Sequence, residues 1–373
     1  MKIGLVLDDT LDTPDGVQQY VLRVGTWFSS QGHEVHYLVG QTSRSDIPNV
    51  HSLSRNLGVR FNGNRMSMPL PASRKQLRRL LAEVQFDVLH VQMPYSPFMA
   101  GRLLRLAPAS TAVVGTFHVL PYDWFVRTAN RALALANSRT AKRFDGVIAG
   151  SPAAAAFARS CYGLQSRVIP HPFSYKTFLV NAPKNSTRTI VYMARLVERK
   201  GAQWFLRAVA ELARRGELPR DVSIIIGGKG PLRDKLEAYV RRTGLSQQVT
   251  FTGFVPEATK AQFLAQADIA VFPSVSGESF GISIIEALAA VRGVVLAGDN
   301  PGYRAAMPTT NQLLDPTDTS HFAMELARWL ADPAARRKAA SVQKQYAARF
   351  DADTVCAQVA AVYAEALQSR RES

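Results

Sequence analysis

AVFPSVSGESFGISIIEALAAV, residues 270–291, passes through three kinds of segment in succession. An apolar strand-like run over 269–272 empties into a loop holding Ser274, Ser276 and Gly277, and a helix begins near residues 279–283. A strand feeding a helix through a short loop is the unit of a parallel α/β sheet, whose ligands bind outside the carboxyl ends of the strands. N–H groups of Phe280, Gly281 and Ile282 at the helix start would face a phosphate, with Gly281 allowing close approach. Two carboxylates, Glu278 and Glu286, flank that start. A carboxylate accepts two hydrogen bonds at once and so suits a vicinal diol, and a diphosphate between two sugars presents diols on both sides. The same stretch also reads as an N-cap Glu followed by an exposed Glu.

The unit recurs along the chain. In the first half, strands are expected over 2–7, 34–39, 88–92, 112–118 and 146–149, with helices over 17–31 and 73–84. Periodicity fails in HPFSYKTFLVNAPKNSTR, where prolines and asparagines mark a linker over 171–186. Strands over 189–192, 222–226, 249–252 and 269–272 then alternate with helices over 202–215, 232–243 and 258–267. The reading is two Rossmann-like doubly wound domains, 1–170 and 187–350, facing a central cleft, with a terminal helix near 354–368.

The 373 residues are 47% hydrophobic and 20% charged, a balance that suits a soluble protein of two domains. Cys161 and Cys356 stand too far apart for a ligand-type spacing, which suggests neither a disulfide framework nor a zinc site and makes a reducing cytoplasm the simplest home. The start is not of signal-peptide type, and no apolar run reaches membrane-spanning length. The formal net charge of +16 is uneven: residues 16–170 carry 18 Lys/Arg against 6 Asp/Glu, whereas residues 1–15 carry four aspartates against Lys2. Polyanions or an anionic membrane surface are the partners such a charge favours, beside plain solubility.

Four further segments carry candidate chemistry. DDTLDTPDGVQQYV sets Gly16 at a helix start, where a phosphate could bind; Gly is also common there for steric reasons, and the aspartates could cap the helix or orient acceptor hydroxyls. ARLVERKG sends Arg195 and Lys200 toward the cleft, where paired cations would stabilise a diphosphate leaving group without metal; a solvated loop is the plain alternative. IIIGGKGP lacks the full phosphate-loop spacing and reads as a tight turn, with Lys229 a minor candidate. VVGTFHVLP ends a strand with His118 at the first crevice, suited to a sugar hydroxyl, while His90 reads as core. In PASRKQLRRLLAEV, Arg74, Lys75, Arg78 and Arg79 share one side of a helix and Leu77, Leu80, Leu81 and Val84 the other, a face for anionic lipid or for water.

Together these motifs resemble the family-4 retaining glycosyltransferases of the GT-B fold, especially the phosphatidylinositol mannosyltransferase branch. PDGVQ, FDVLHVQMP, TFH, ARLVERKG and the E-x7-E element GESFGISIIEA carry the likeness, which runs nearly end to end. It implies retaining transfer of a hexose, of mannose or glucose type, from a nucleotide-diphosphate sugar such as GDP-mannose. It also implies a catalytic set of His118, Arg195, Lys200 and Glu278. By the same analogy the donor meets Gly16, Arg195, Lys200, Glu278, Phe280, Gly281, Ile282 and Glu286, with Glu286 on the ribose and Glu278 on the moving sugar. Asp15 and Gln18 fall to the acceptor, the loop 254–256 to the base, and residues 351–373 to a helix crossing back onto the first domain. No metal or other cofactor is implied.

Several elements depart from that branch. Asp15 replaces the first Gly of P-G-G-V-Q, VLPYDW replaces a polar stretch, and IPHPF replaces I-P-N-G-V. GDNPGYR looks more like glycolipid-forming members that act on diacylglycerol-type lipids. The expected protein is a cytoplasmic, peripheral membrane enzyme that glycosylates a phosphatidylinositol- or diacylglycerol-type lipid and binds no nucleic acid. A soluble or polysaccharide acceptor, a nucleotide-sugar 2-epimerase and a non-enzymatic nucleic-acid binder are the alternatives.

Overall fold

The computed structural model of the chain describes every residue except 14, 62–63, 122–123, 182–186 and 373, and no side chain from 59 to 68. Pro14 of PDGVQ, Tyr122 and Asp123 of VLPYDW, and the 182–186 portion of the expected linker lie outside the described residues. The chain divides into two units, Met1–Phe173 with Ala352–Ser373, and Ser174–Asp351. Ser174 onward therefore belongs to the second unit, and the short helix Tyr175–Phe178 stands where the sequence suggests only linker. Buried Phe178 anchors that helix.

The first unit runs β1 (Lys2–Leu7), α1 (Gly16–Ser30), β2 (Glu34–Val39), β3 (Val50–Ser52), β4 (Asn56–Phe61) and β5 (Asn64–Pro69). It continues with α2 (Arg74–Val84), β6 (Val88–Met93), α3 (Ala100–Leu106), β7 (Ala112–Phe117), α4 (Trp124–Ala136), α5 (Ser138–Ala141), β8 (Gly146–Ala149), α6 (Pro152–Tyr162) and β9 (Arg167–Val168). Its sheet has seven parallel strands in the order β3-β2-β1-β6-β7-β8-β9, and β4 and β5 form a separate antiparallel hairpin. Period-two alternation divides the core. Ile3, Leu5, Leu7, Val88 and Val114 pack on one face with α1, and Val6, Leu89, Val91, Met93 and Phe117 pack on the other with Leu77, Leu81, Leu103 and Phe157.

The second unit runs α7 (Tyr175–Phe178), β10 (Arg188–Met193), α8 (Ala202–Arg214), β11 (Val222–Gly227), α9 (Arg233–Arg242), β12 (Val249–Gly253), α10 (Glu257–Ala265) and β13 (Ile269–Phe272). It closes with α11 (Ile282–Ala290), β14 (Val294–Gly298), α12 (Pro301–Ala306), β15 (Leu313–Leu314), α13 (Thr319–Ala331) and α14 (Pro333–Ala347). Six parallel strands lie in the order β12-β11-β10-β13-β14-β15.

The last helix, α15 (Ala352–Glu372), belongs to the first unit. Tyr363 stacks on Phe28 at 4.8 Å between ring centres and meets His90 Nδ1 at 2.6 Å, while Arg370 pairs with Asp145 at 2.8 Å.

Candidate active site

In the second unit, the loops after β10 and β13 are held together by their backbones. Val275 N–H donates to Arg199 O at 2.9 Å, and Ser274 Oγ lies 3.0 Å from the same oxygen. Gly201 makes the approach possible: it sits at φ 75°, and a Cβ there would lie 1.9 Å from Pro273 O. Gly302 serves the other side, since a Cβ there would lie 1.9 Å from Glu278 O. Asn300 Nδ2 donates to Ser274 O at 2.9 Å, while Asn300 Oδ1 caps α12 through Tyr303 N–H. GDNPGYR thus props the loop that bears Glu278.

That frame brings Lys200 and Glu278 together. Lys200 Nζ lies 2.7 Å and Arg199 Nη1 2.8 Å from Glu278 Oε1, which also accepts from Ser274 Oγ at 2.8 Å. Glu278 is 8% exposed. Burial opposes ionisation of this carboxyl, but the Lys200 and Arg199 charges outweigh it and hold the pKa below the usual range. Burial also lowers the Lys200 pKa, against the pull of Glu278. Arg195, half-buried, adds positive charge near Lys200. Arg199 joins the site beyond the Arg195 and Lys200 that the sequence pointed to.

The second glutamate is not the exposed group of the plain alternative. Glu286 is 1% exposed on α11, and Lys260 of α10 reaches its Oε2 at 3.0 Å. Lys260 also pairs with Glu257 at 2.6 Å. Phe280 is likewise buried, its ring 5.7 Å from that of Phe350, so its side chain anchors the loop beside its backbone. Gly281 at φ 96° precedes α11, whose first N–H groups lack partners within the helix. In the GGKG segment Gly228 N–H donates to Gly253 O and Leu196 N–H to Lys229 O, and the turn comes just after, where Arg233 N–H donates to Gly230 O at 3.2 Å. Phe254, in the loop expected to frame the base, is 52% exposed.

In the first unit, Gly16 opens α1, but Asp15 makes no side-chain cap, contrary to the capping alternative. Asp15 O accepts from Gln19 N–H at 3.0 Å, the ordinary first bond of the helix. Gln18 is 3% exposed and donates to Asp9 at 3.2 Å. Asp8 accepts from the N–H groups of Ser96 and Ala100, and burial pushes its carboxyl up to about 6 despite those bonds. His118, at the end of β7, meets Gln92 Oε1 at 2.7 Å and packs against the rings of Tyr20 and His171 at 5.0 and 5.1 Å. His90 is core as expected, bonded to Tyr363 and Thr116, with burial lowering its pKa to about 3.

Comparison with known proteins decides the family. The model for Glycosyltransferase Family 4 matches residues 14–174, and that for Glycosyl transferases group 1 matches residues 187–332. A phosphatidyl-myo-inositol mannosyltransferase of Mycolicibacterium smegmatis is 30% identical, with 97% of this chain and 93% of the relative covered. The chain is a family-4 glycosyltransferase. Its fold is GT-B, shared with sucrose-phosphate synthase from Thermosynechococcus elongatus at TM-score 0.75 and 19% identity, covering 99% of this chain and 100% of that one. HepE of Anabaena, solved with UDP-glucose, superposes at TM-score 0.73 and 19% identity over 98% of this glycosyltransferase and 99% of that chain.

The α2 face of this glycosyltransferase is as expected in its exposure. Arg74, Lys75, Arg78 and Arg79 are exposed and Leu77, Leu80 and Leu81 buried, although Arg79 pairs with Glu83 at 2.7 Å. A second exposed face was not anticipated: on α4, Trp124, Phe125 and Leu135 are 75%, 51% and 76% exposed, beside exposed Arg127 and Arg131. Among the described residues no helix is long and apolar enough to cross a membrane.

Proposed function

We propose that this enzyme moves a hexose, of mannose or glucose type, from a nucleotide-diphosphate sugar to a phosphatidylinositol- or diacylglycerol-type lipid, with retention of anomeric configuration. The observation that carries the donor half is the charge arrangement at Glu278: Arg199 and Lys200 meet one carboxylate oxygen, and Arg195 adds positive charge at Lys200. Such a cluster suits the charge that develops on a departing diphosphate, and cations held in place before the reaction need not reorganise during it. Glu278 Oε2 then accepts from a hydroxyl of the moving sugar, and Glu286 from the ribose once Lys260 shares it. The start of α11, Phe280 to Ile282, receives phosphate oxygens. A neighbour of the same fold solved with UDP-glucose supports this reading of the donor.

In the first unit, Gly16 approaches the β-phosphate region, His118 the moving sugar, and Asp15 and Gln18 the acceptor. The acceptor oxygen bonds to the anomeric carbon from the face that the diphosphate leaves, as the bond from that carbon to the diphosphate breaks and the hydroxyl proton passes to the departing phosphate oxygen, with no covalent glycosyl-enzyme. The lipid acceptor is supported by the phosphatidyl-myo-inositol mannosyltransferase named above. Docking on the cytoplasmic face of a membrane is supported by the basic face of α2 and by the apolar and basic residues exposed on α4. A panel of GDP-, UDP- and ADP-sugars in thermal unfolding, followed by turnover on vesicles with each lipid, tests the proposal. A stabilising donor consumed only when lipid is present supports it, and no shift with any donor overturns it.

A further inference from the structure

Gln92 is 4% exposed near the end of β6, and in the parallel register it stands opposite Thr116 of β7, two residues before His118. Its amide has a defined orientation. Nε2 donates to His90 O at 3.3 Å, which turns Oε1 toward His118 Nε2 at 2.7 Å. An amide oxygen only accepts, so the His118 proton must lie on Nε2 and Nδ1 must carry a bare lone pair. Nδ1 is buried and has no hydrogen-bond partner among the described residues. A buried acceptor without a donor is the arrangement expected where a ligand supplies the donor.

The surroundings keep the ring neutral without supplying that donor. Tyr20 of α1 packs edge-on at 5.0 Å, but its hydroxyl is engaged with Thr116 Oγ1 at 3.0 Å. His171 packs at 5.1 Å, with Arg23 acting on it from α1, and His90 lies two residues before Gln92 on β6. Burial comes first in holding His118 well below its ordinary pKa, with His171 and His90 adding to it.

We infer that Gln92 is a positioning residue, which locks His118 as the neutral Nε2–H tautomer and so presents Nδ1 as a hydrogen-bond acceptor to a hydroxyl of the transferred sugar. The inference rests on the proposed place of His118 beside that sugar. Glutamine fits this task for a physical reason: it accepts from Nε2–H as a carboxylate would, but adds no charge that would protonate the ring. A carboxylate at position 92 would favour the imidazolium and turn Nδ1 from acceptor to donor.

The test uses the full chain with nitrogen-15-labelled histidine. The expected spectrum shows His118 Nδ1 unprotonated and Nε2 protonated across neutral pH. In Gln92→Glu the ring is expected to take up a proton at neutral pH, kcat to fall about tenfold, as for one lost hydrogen bond, and activity to recover as pH rises. Gln92→Leu, which removes the lock without adding charge, should lower kcat with no new pH dependence. Donor-induced thermal shifts, read on both variants, report whether they are folded. A proton on Nδ1 in the unaltered protein, or a Gln92→Glu pH profile superimposable on that of the unaltered protein, overturns the inference. If the unaltered enzyme turns over no donor, the proposed function falls, whereas the tautomer is still decided by the spectrum.

Discussion

Lys200 Nζ lies 2.7 Å from Glu278 Oε1, and the same oxygen holds Arg199 at 2.8 Å. The pair fixes the geometry of the loop that the proposed donor sugar meets. Glu278→Ala leaves two cations without their partner in a largely buried place, and truncating one member of such a pair costs about 3 kcal/mol. Denaturant unfolding should show that loss, and turnover and sugar choice should fall with it. Glu278→Gln keeps the size and one acceptor oxygen, so it should recover part of the stability without recovering turnover. Equal stability of the Glu278→Ala and Glu278→Gln variants would show that the charge, not the shape, holds the loop.

Glu286 should behave differently. It is buried on α11 and held by Lys260, so it lies outside the Arg199 and Lys200 cluster. Glu286→Ala should weaken the binding of donor and of free nucleoside diphosphate by the same factor, raising KM and leaving kcat nearly unchanged, as expected for uniform binding. Calorimetric titration with both ligands checks this. A large fall in kcat would move Glu286 from the nucleotide to the reacting centre.

Gly201 tests the frame and not the charges. At φ 75°, with Pro273 O only 1.9 Å from a built Cβ, Gly201→Ala must shift the loop that bears Arg199 and Lys200. The expected result is a stability loss of about 1 kcal/mol or more and a weaker donor-induced thermal shift. A variant with unchanged donor affinity would show that the close approach is structural only.

Much of the sheet was legible because its inner strands are buried on both faces and read as unbroken apolar runs, as in Val88–Met93 and Ile269–Phe272. The three strands before α2 were not legible: Val50–Ser52 is short and partly exposed, and Asn56–Phe61 and Asn64–Pro69 pair away from the main sheet. At the site, Lys200 and Glu278 each stood out as candidate donor residues, although their contact, across 78 residues of sequence, did not. Arg199 did not, because the short turn Glu198–Lys200 brings two neighbouring cations to one carboxylate. Lys260 stands 26 residues before Glu286 on another helix, and no local pattern joins them. Gln92 lay inside FDVLHVQMP, but its role depends on the register between β6 and β7.

The exposed face of α2 predicts salt-sensitive membrane binding. Arg74, Lys75 and Arg78 should each contribute about 1 kcal/mol near an anionic surface, whereas Arg79 contributes less because Glu83 offsets its charge. Replacing all four by Gln should lower partition onto anionic vesicles by about a hundredfold and leave donor binding intact. Added salt should weaken the binding of the unaltered protein in the same direction. Residual binding to anionic vesicles would then be tested against Trp124 and Phe125 on α4, which are exposed beside Arg127 and Arg131. Unchanged vesicle activity after the fourfold substitution would remove α2 from the membrane reading.

Three buried imidazoles give the first unit a pH dependence whose sign can be worked out. Burial lowers His90 to about 3 and His171 to about 4, and puts His118 well below its ordinary value of 6.5. Below pH 6.5 the unfolded chain therefore takes up protons that the folded unit refuses, and stability falls with pH, by about 1.4 kcal/mol per pH unit for each proton. Asp8 works in the opposite direction: burial raises it to about 6, so its contribution is present below 3.8 and is lost as pH rises through 6. Between pH 6 and 4 three imidazoles oppose one carboxyl, and the imidazoles win. Denaturant midpoints measured at pH 7 and pH 5 should show the first unit markedly weaker at pH 5. His171→Phe, which keeps a ring and removes a titrating group, should flatten that slope, and an unchanged slope would mean that His171 is not held neutral in the folded unit.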